Sequence, residues 1–497
     1  MQLNYYKEPF EKFLTTYEEV GYVEILSYPV IYASGLPNVK VREVVMFDDG
    51  SLGYVTSLDK EYVEILLFSK DGLRIGSKIA RTGNVLEIPV GEELLGTSIT
   101  PLGFSIYEGY PAKRKADFRP IDIHALDISY REKITEPVET GVALVDLLIP
   151  LGKGQREMIV GDRKTGKTEF LLQTMLSQAK KGTICIYAAI GKKKIDIKKV
   201  ENFFVRNGII ENSIIVATSS SDALGLVYLT PYSAMSIAEY FRDLGRDVLL
   251  ILDDMSTHAK FYREISLLSK RFPGRSSYPG DIFYTHSRLL ERAGNFKHPS
   301  GKPVSITCLP VAESIEGDIS GYIQTNLMSI TDGHVYFDKD LFANGRRPAI
   351  NYFLSVTRVG RQTQSQIRWG VNRELNSFLT LLEKTQSFIH FGAELNEGIR
   401  STLSMGEHVL AFFDQPMDKV IPINMQIVLF GMIWLGFFKS ETNERIQFIT
   451  QLSIEKYRSD QKFKEKIDKL ISDATDFNNL LGSLSIKKDE ILSFYQL

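Results

Sequence analysis

From residue 21 to about 88 the chain runs as short apolar stretches cut by polar turns: "GYVEIL", "DDG" at 48–50, "YVEILLF" at 62–68 and "KDG" at 70–72. Short strands at even spacing with Gly and Asp turns predict a small β-barrel. The twenty residues before it predict one short helix. From about 89 to 365 the rhythm changes, with "REMIVG", "TICIYAAIG", "DVLLILDD", "PVSITCLPV" and "AINYFLSVTR" alternating with helical stretches. Runs apolar on both faces suit a parallel sheet covered by helices. After about 366 the strand signals fade, and Phe463, Ile467, Leu470, Ile471, Ala474 and Phe477 recur at helical spacing. The expected fold is multidomain α/β: an N-terminal segment 1–20, a small barrel 21–88, a parallel-sheet domain 89–365 and a C-terminal α-helical domain 366–497.

A chain of 497 residues is long for one hydrophobic core, which agrees with several domains. Its 59 basic and 61 acidic side chains nearly cancel, which argues against a protein built to coat nucleic acid. Cys185 and Cys308 sit in apolar strand-like runs and read as buried, reduced thiols, in keeping with the cytosol. The N-terminus mixes acids and bases without a sustained apolar stretch, so it is not a secretory signal. The longest apolar run, "IVLFGMIWLGFF" at 427–438, falls short of the roughly 20 residues that span a bilayer. It predicts a buried core helix, and any membrane connection is expected through partners.

One stretch changes the picture. "GDRKTGKT", Gly161, Asp162, Arg163, Lys164, Thr165, Gly166, Lys167 and Thr168, fits G-x-x-x-x-G-K-[ST] between an apolar strand and an apolar helix. In such a loop the backbone amides and helix N-terminus face phosphate oxygens, the lysine supplies a point charge and the final hydroxyl can ligate Mg²⁺. ATP or ADP with Mg²⁺ is therefore the expected cofactor. The carboxylate partner of such a metal should end an apolar strand further on, and "DVLLILDD" puts Asp253 there with Asp254 beside it. An acid after a strand is otherwise an ordinary helix cap.

Hydrolysis needs a further group to orient or deprotonate water, usually a glutamate after the neighbouring strand. Here "TICIYAAI" is followed by "GKKKIDIKK", with Lys192, Lys193 and Lys194 and no glutamate before Glu201. An ordinary lysine is protonated at neutral pH and cannot serve as that base. Read alone, the run is a solvated charged turn. The chain is expected to bind nucleotide and to hydrolyse it slowly or not at all.

Several long stretches resemble the α subunit of F-type ATP synthases: "TGVALVDLLIPLGKGQREMIVGDRKTGKT" (140–168), "YREISLLSKRFPGRSSYPGDIFYTHSRLLERAGNF" (262–296), "GDISGYIQTNLMSITDGHVYF" (317–337), "NGRRPAINYFLSVTRVG" (344–360), "RTGNVLEIPVGEELLG" (81–96) and "HFGAELN" (390–396). The resemblance implies a RecA-like P-loop domain and a heterohexamer in which α-type and catalytic β-type subunits alternate around a γ-type shaft. It implies a cytoplasmic chain, peripheral to the inner face of the membrane. It also implies that Arg358 of "SVTRVG" is an arginine finger reaching the neighbouring β site, and that Arg347 and Pro348 line the adenine side of the α site. A guanidinium placed across an interface offsets charge developing on the γ-phosphate and is worth roughly 10³ to 10⁵ in rate.

Departures from the family pattern bear on function. Lys164 and Lys192 stand where the family usually has glutamine, and the N-terminal segment is shorter than typical, which bears on attachment to a peripheral stalk. Near "FFDQPMDKVIP" the family's glutamine-containing adenine loop does not align cleanly, and Gln415 is the candidate there. The Lys-, Ile- and Phe-rich composition suggests an AT-rich genome such as a mollicute's, where a diverged F-type-like motor can do other mechanical work, including gliding. The alternative is a ring-shaped RNA or DNA translocase of the termination-factor type, whose "GKGQR" approach to the loop is similar. That alternative needs a catalytic glutamate and an aromatic barrel face, for which Tyr22, Tyr54, Tyr62 and Phe68 are the residues at hand.

Overall fold

The computed structural model describes residues 9–70, 72–107, 117–390, 397–416 and 418–493. The resemblance stretch at 390–396 falls almost wholly outside them. A helix, Phe10–Tyr17, precedes the barrel, buries Phe13 and ties to it where the Tyr17 hydroxyl donates to the Thr82 carbonyl at 3.1 Å.

Six strands close the barrel: β1 (Gly21–Ser27), β2 (Val30–Ser34), β3 (Glu43–Phe47), β4 (Leu52–Leu58), β5 (Val63–Leu67) and β6 (Lys78–Val85). Their order is β1-β2-β5-β4-β3-β6, and each neighbouring pair is antiparallel. Closure leaves no unpaired edge. Val23, Ile31, Val45, Phe47, Val55 and Ile65 fill the inside. At Gly53 a Cβ would stand 2.4 Å from Ile65 Cγ2, so only glycine lets that side chain close over β4.

The described residues form two compact units that do not follow chain order: 1–133, 179–314 and 318–331 in one, 134–178, 315–317 and 332–497 in the other. Beside the barrel, the first carries parallel strands in the order Val304–Glu313, Val248–Asp253, Ile184–Lys192, Ser213–Ser219 and Ser98–Ile99. The strand Val248–Asp253 is buried throughout, as expected for one covered on both faces. Cys185 and Cys308 are both buried on these strands.

The second unit pairs Met158–Gly161 in parallel with Gly333–Phe337, beside which Val356–Thr357 runs antiparallel. The C-terminal region is helical, from Gln366–His390 through Lys488–Ser493. Ile423–Trp434 is its apolar helix, with Val428, Phe430 and Met432 fully buried. Among the described residues no helix is long and apolar enough to cross a membrane.

Three details differ from the sequence pattern. "AINYFLSVTR" is not one strand, because the Asn351 side chain accepts the N–H groups of Phe353 and Leu354, both at 3.2 Å, and turns the chain before Val356. The helical spacing from Phe463 to Phe477 spans two helices, Gln461–Asp473 and Phe477–Ile486, with Asp476 capping the second by accepting the Asn479 N–H. Ser213–Ser219 is a sheet strand that the pattern left unread.

Candidate nucleotide-binding site

The strand Met158–Gly161 delivers the chain into the phosphate loop, and the helix Lys167–Ala179 carries it away with Phe170, Leu171 and Met175 buried. A Cβ on Gly161 would meet the Phe337 carbonyl oxygen at 2.4 Å, so glycine alone allows this approach. The loop is braced internally. Thr165 Oγ1 donates to the Asp162 carbonyl at 2.8 Å, and the Asp162 carboxylate accepts the Gly317 N–H at 3.0 and 3.2 Å. Lys167 is buried, and its ammonium donates to the carbonyls of Gly161 at 2.7 Å and Asp162 at 2.5 Å. Arg163, Lys164 and Thr168 are exposed. Gly166 at φ +94° and Lys164 at φ +62° both take the left-handed conformation, which costs a lysine roughly 1–2 kcal/mol.

Asp253 and Asp254 lie in the other unit and play different parts. Asp254 caps the helix Met255–Leu268, its Oδ1 accepting the Thr257 N–H at 2.5 Å. Asp253 ends the buried strand, and Lys192 binds both acids, 2.6 Å from Asp253 Oδ1 and 3.1 Å from Asp254 Oδ2. The Tyr187 hydroxyl donates to Asp253 Oδ2. Lys192 is thus not part of a solvated turn, although Lys193 and Lys194 are exposed. Burial opposes its charge, but the two carboxylates more than offset this and raise its pKa. Burial, then the Asp253 charge, pushes the Tyr187 phenol well up. Glu201 is engaged elsewhere, by Lys198 at 2.7 Å, Tyr107 at 2.7 Å and Ser98 at 3.0 Å.

Thr168 and Asp253 are the residues the sequence offers to a Mg²⁺ ion. The exposed Thr168 hydroxyl at a helix start suits one, whereas both oxygens of Asp253 already have partners within this chain. Among the described residues no three His, Cys, Asp or Glu side chains gather as a metal set.

Arg358 follows the short strand Val356–Thr357 and is exposed. Its N–H donates to the Asp332 carbonyl at 3.1 Å, and the Asp332 carboxylate clamps Arg156 at 2.9 and 3.2 Å. Glu157, next to Arg156 in the chain, is fully buried and accepts from Gln155 Nε2 at 2.7 Å. Burial holds the pKa of its carboxyl well above the carboxylate range.

Arg347 and Pro348 line a cavity of about 230 Å³ together with Arg346, Tyr352, Phe353 and Asp414. Arg347 lies 3.6 Å over the Phe342 ring and donates to the carbonyls of Arg346 at 2.7 Å and Phe342 at 3.0 Å. Gln415 is buried and is not among the lining residues. Its amide is spent on backbone: it accepts the Ala143 N–H at 3.1 Å and donates to the carbonyls of Gly141, at 2.7 Å, and Lys419. Its own N–H donates to the Arg347 carbonyl at 2.7 Å.

Residues 141–357 match the nucleotide-binding domain of the ATP synthase alpha/beta family. ATP synthase subunit alpha of Clostridium acetobutylicum is 40% identical over 423 residues, covering 85% of this chain and 83% of that one. That of Aquifex aeolicus is 38% identical over 477 residues, covering 92% and 93%. The chain belongs to the ATP synthase alpha subunit family. Within the nucleotide-binding domain of this family member, sequence reasoning missed Tyr352 and Phe353, whose only signal is an aromatic pair four residues beyond the "RP" of "GRRPAINYF". It also missed the bond of Lys192 to both aspartates, because side-chain pairing between adjacent strands leaves no local mark.

Proposed function

We propose that this chain is the nucleotide-holding, non-hydrolysing α-type subunit of an F-type rotary ATPase. In this reading the Gly161–Thr168 loop cradles the phosphates of ATP or ADP, Lys167 supplies the charge, and the Thr168 hydroxyl is the chain's own ligand for Mg²⁺. The ion would supply positive charge at the phosphate oxygens. Asp253, the expected second metal partner, is committed to Lys192. Arg347 and Pro348 wall the adenine, and Gln415 supports them by holding the Arg347 carbonyl. Arg358 reaches into the site of a neighbouring β-type subunit as an arginine finger. The two subunit types alternate around a γ-type shaft, in a complex peripheral to the inner face of the membrane.

One observation carries the non-hydrolysing part. Where the strand Ile184–Lys192 ends, the position suited to an acid that orients water is held by an ammonium bound to two aspartates. The purified full-length chain is expected to retain nucleotide, released on denaturation and read by chromatography, with negligible turnover until a β-type partner is added. Robust hydrolysis by the chain alone overturns the proposal. The translocase reading is disfavoured because Tyr54 and Phe68 are buried and pack on one another at 6.5 Å. Tight RNA retention in a filter assay would restore it. A pull-down naming what the shaft joins separates an ATP synthase from a diverged motor with another mechanical output.

A further inference from the structure

We propose that Lys192 is a built-in counter-ion that takes the place of a divalent cation at the Asp253–Asp254 pair. The strands Ile184–Lys192 and Val248–Asp253 run side by side, with Ala189 opposite Asp253. Beyond Ala189 the pairing with Ser213–Ser219 slips, and Gly191 turns at φ +60°. A Cβ there would stand 2.9 Å from Phe261, so glycine makes the turn that places Lys192 over the neighbouring strand end. Its backbone is fixed as well, since the Lys192 carbonyl accepts the Ser220 N–H at 3.0 Å.

All four carboxylate oxygens therefore have a partner in this chain: Lys192 and Tyr187 on Asp253, Lys192 and Thr257 on Asp254. Both acids are nearly sealed from solvent, at 3% and 2% exposure, so they need a counter-charge, and the lysine is the one the fold provides. A divalent ion entering here would have to displace that ammonium, and Mg²⁺ also gives up its water reluctantly. The pair is thereby made indifferent to metal.

Mn²⁺ titration of the nucleotide-free, full-length chain, followed by electron paramagnetic resonance, tests this. Wild type is expected to bind no more Mn²⁺ than Asp253→Asn. Lys192→Gln is expected to gain one Mn²⁺, held at least tenfold tighter than by wild type, and Lys192→Gln/Asp253→Asn to lose it again. An Asp253-dependent Mn²⁺ site in wild type, or no gain in a folded Lys192→Gln, overturns the proposal. Should that variant not fold, the wild-type unfolding midpoint decides: equal in EDTA and in millimolar Mn²⁺ supports the inference, and a midpoint raised by Mn²⁺ overturns it.

Discussion

Arg358 is fastened to Asp332 at two points, its backbone N–H at 3.1 Å and its Nε at 3.4 Å from the same carbonyl oxygen. Because the Asp332 carboxylate is committed to Arg156, the anchor is itself anchored. A guanidinium rooted this way loses little freedom when it meets an anionic partner, and a lysine cannot reproduce its planar fork. Arg358→Lys is expected to slow turnover of the complex with the β-type partner at least tenfold, while nucleotide retained by this chain stays unchanged. Steady-state hydrolysis by the reconstituted complex checks it, and an unaffected rate removes the finger role.

Removing the ammonium of Lys192 leaves two buried carboxylates facing each other. Lys192→Met keeps most of the stem and is expected to cost about 3 kcal/mol, read from urea unfolding midpoints. Adding Asp253→Asn should recover part of that loss, because the repulsion then disappears. Additive losses would show that the pairing contributes nothing.

His258 and His286 form a buried pair with ring centroids 5.6 Å apart, and Tyr228 stacks on His258. His258 donates from Nε2 to the Tyr228 carbonyl at 3.1 Å, while neither ring nitrogen of His286 has a hydrogen-bond partner. Burial lowers their pKa values to about 4 and about 3, with His258 lowering that of His286 further. Unfolded histidines protonate near pH 6.5, so stability from the neutral pair is present above that pH and lost as pH falls towards 4 and 3. His286→Phe is expected to lie within about 1 kcal/mol of wild type at pH 7 and to lose less stability than wild type at pH 4. Paired denaturation curves at the two pH values read this directly.

Gln415→Ala abandons the Ala143 N–H and two carbonyls in a buried place. A cost of about 2–3 kcal/mol in unfolding free energy is expected. Calorimetry or chemical denaturation measures it, and a neutral result would contradict the bracing described above.

The barrel and the phosphate loop were legible because their signals are local. Short apolar runs cut by Gly and Asp turns mark the barrel, "GYVEIL" becoming β1 and "YVEILLF" becoming β5, and glycines at 161 and 166 sit where backbone contact and a left-handed turn demand them. Asp254 as a helix cap was also within reach of local rules. The bond between Lys192 and Asp253 was not, because it depends on two strands lying adjacent and on a glycine turn aiming one side chain across. Asn351 is the instructive failure. Its apolar neighbours read as a strand, yet one amide oxygen accepting two backbone N–H groups broke it. Gln415 shows the same limit, since its partners at 141 and 143 lie far away in sequence.

That glutamine has a mechanical consequence. It stands two residues beyond the helix Glu397–Phe413 and grips both the Arg347 carbonyl and the turn at Gly141. Pull on the end of that helix, and the wall beside Arg347 is dragged along with the segment entering Ala143–Leu148, so whatever leans on the C-terminal helices also leans on the chamber beside them.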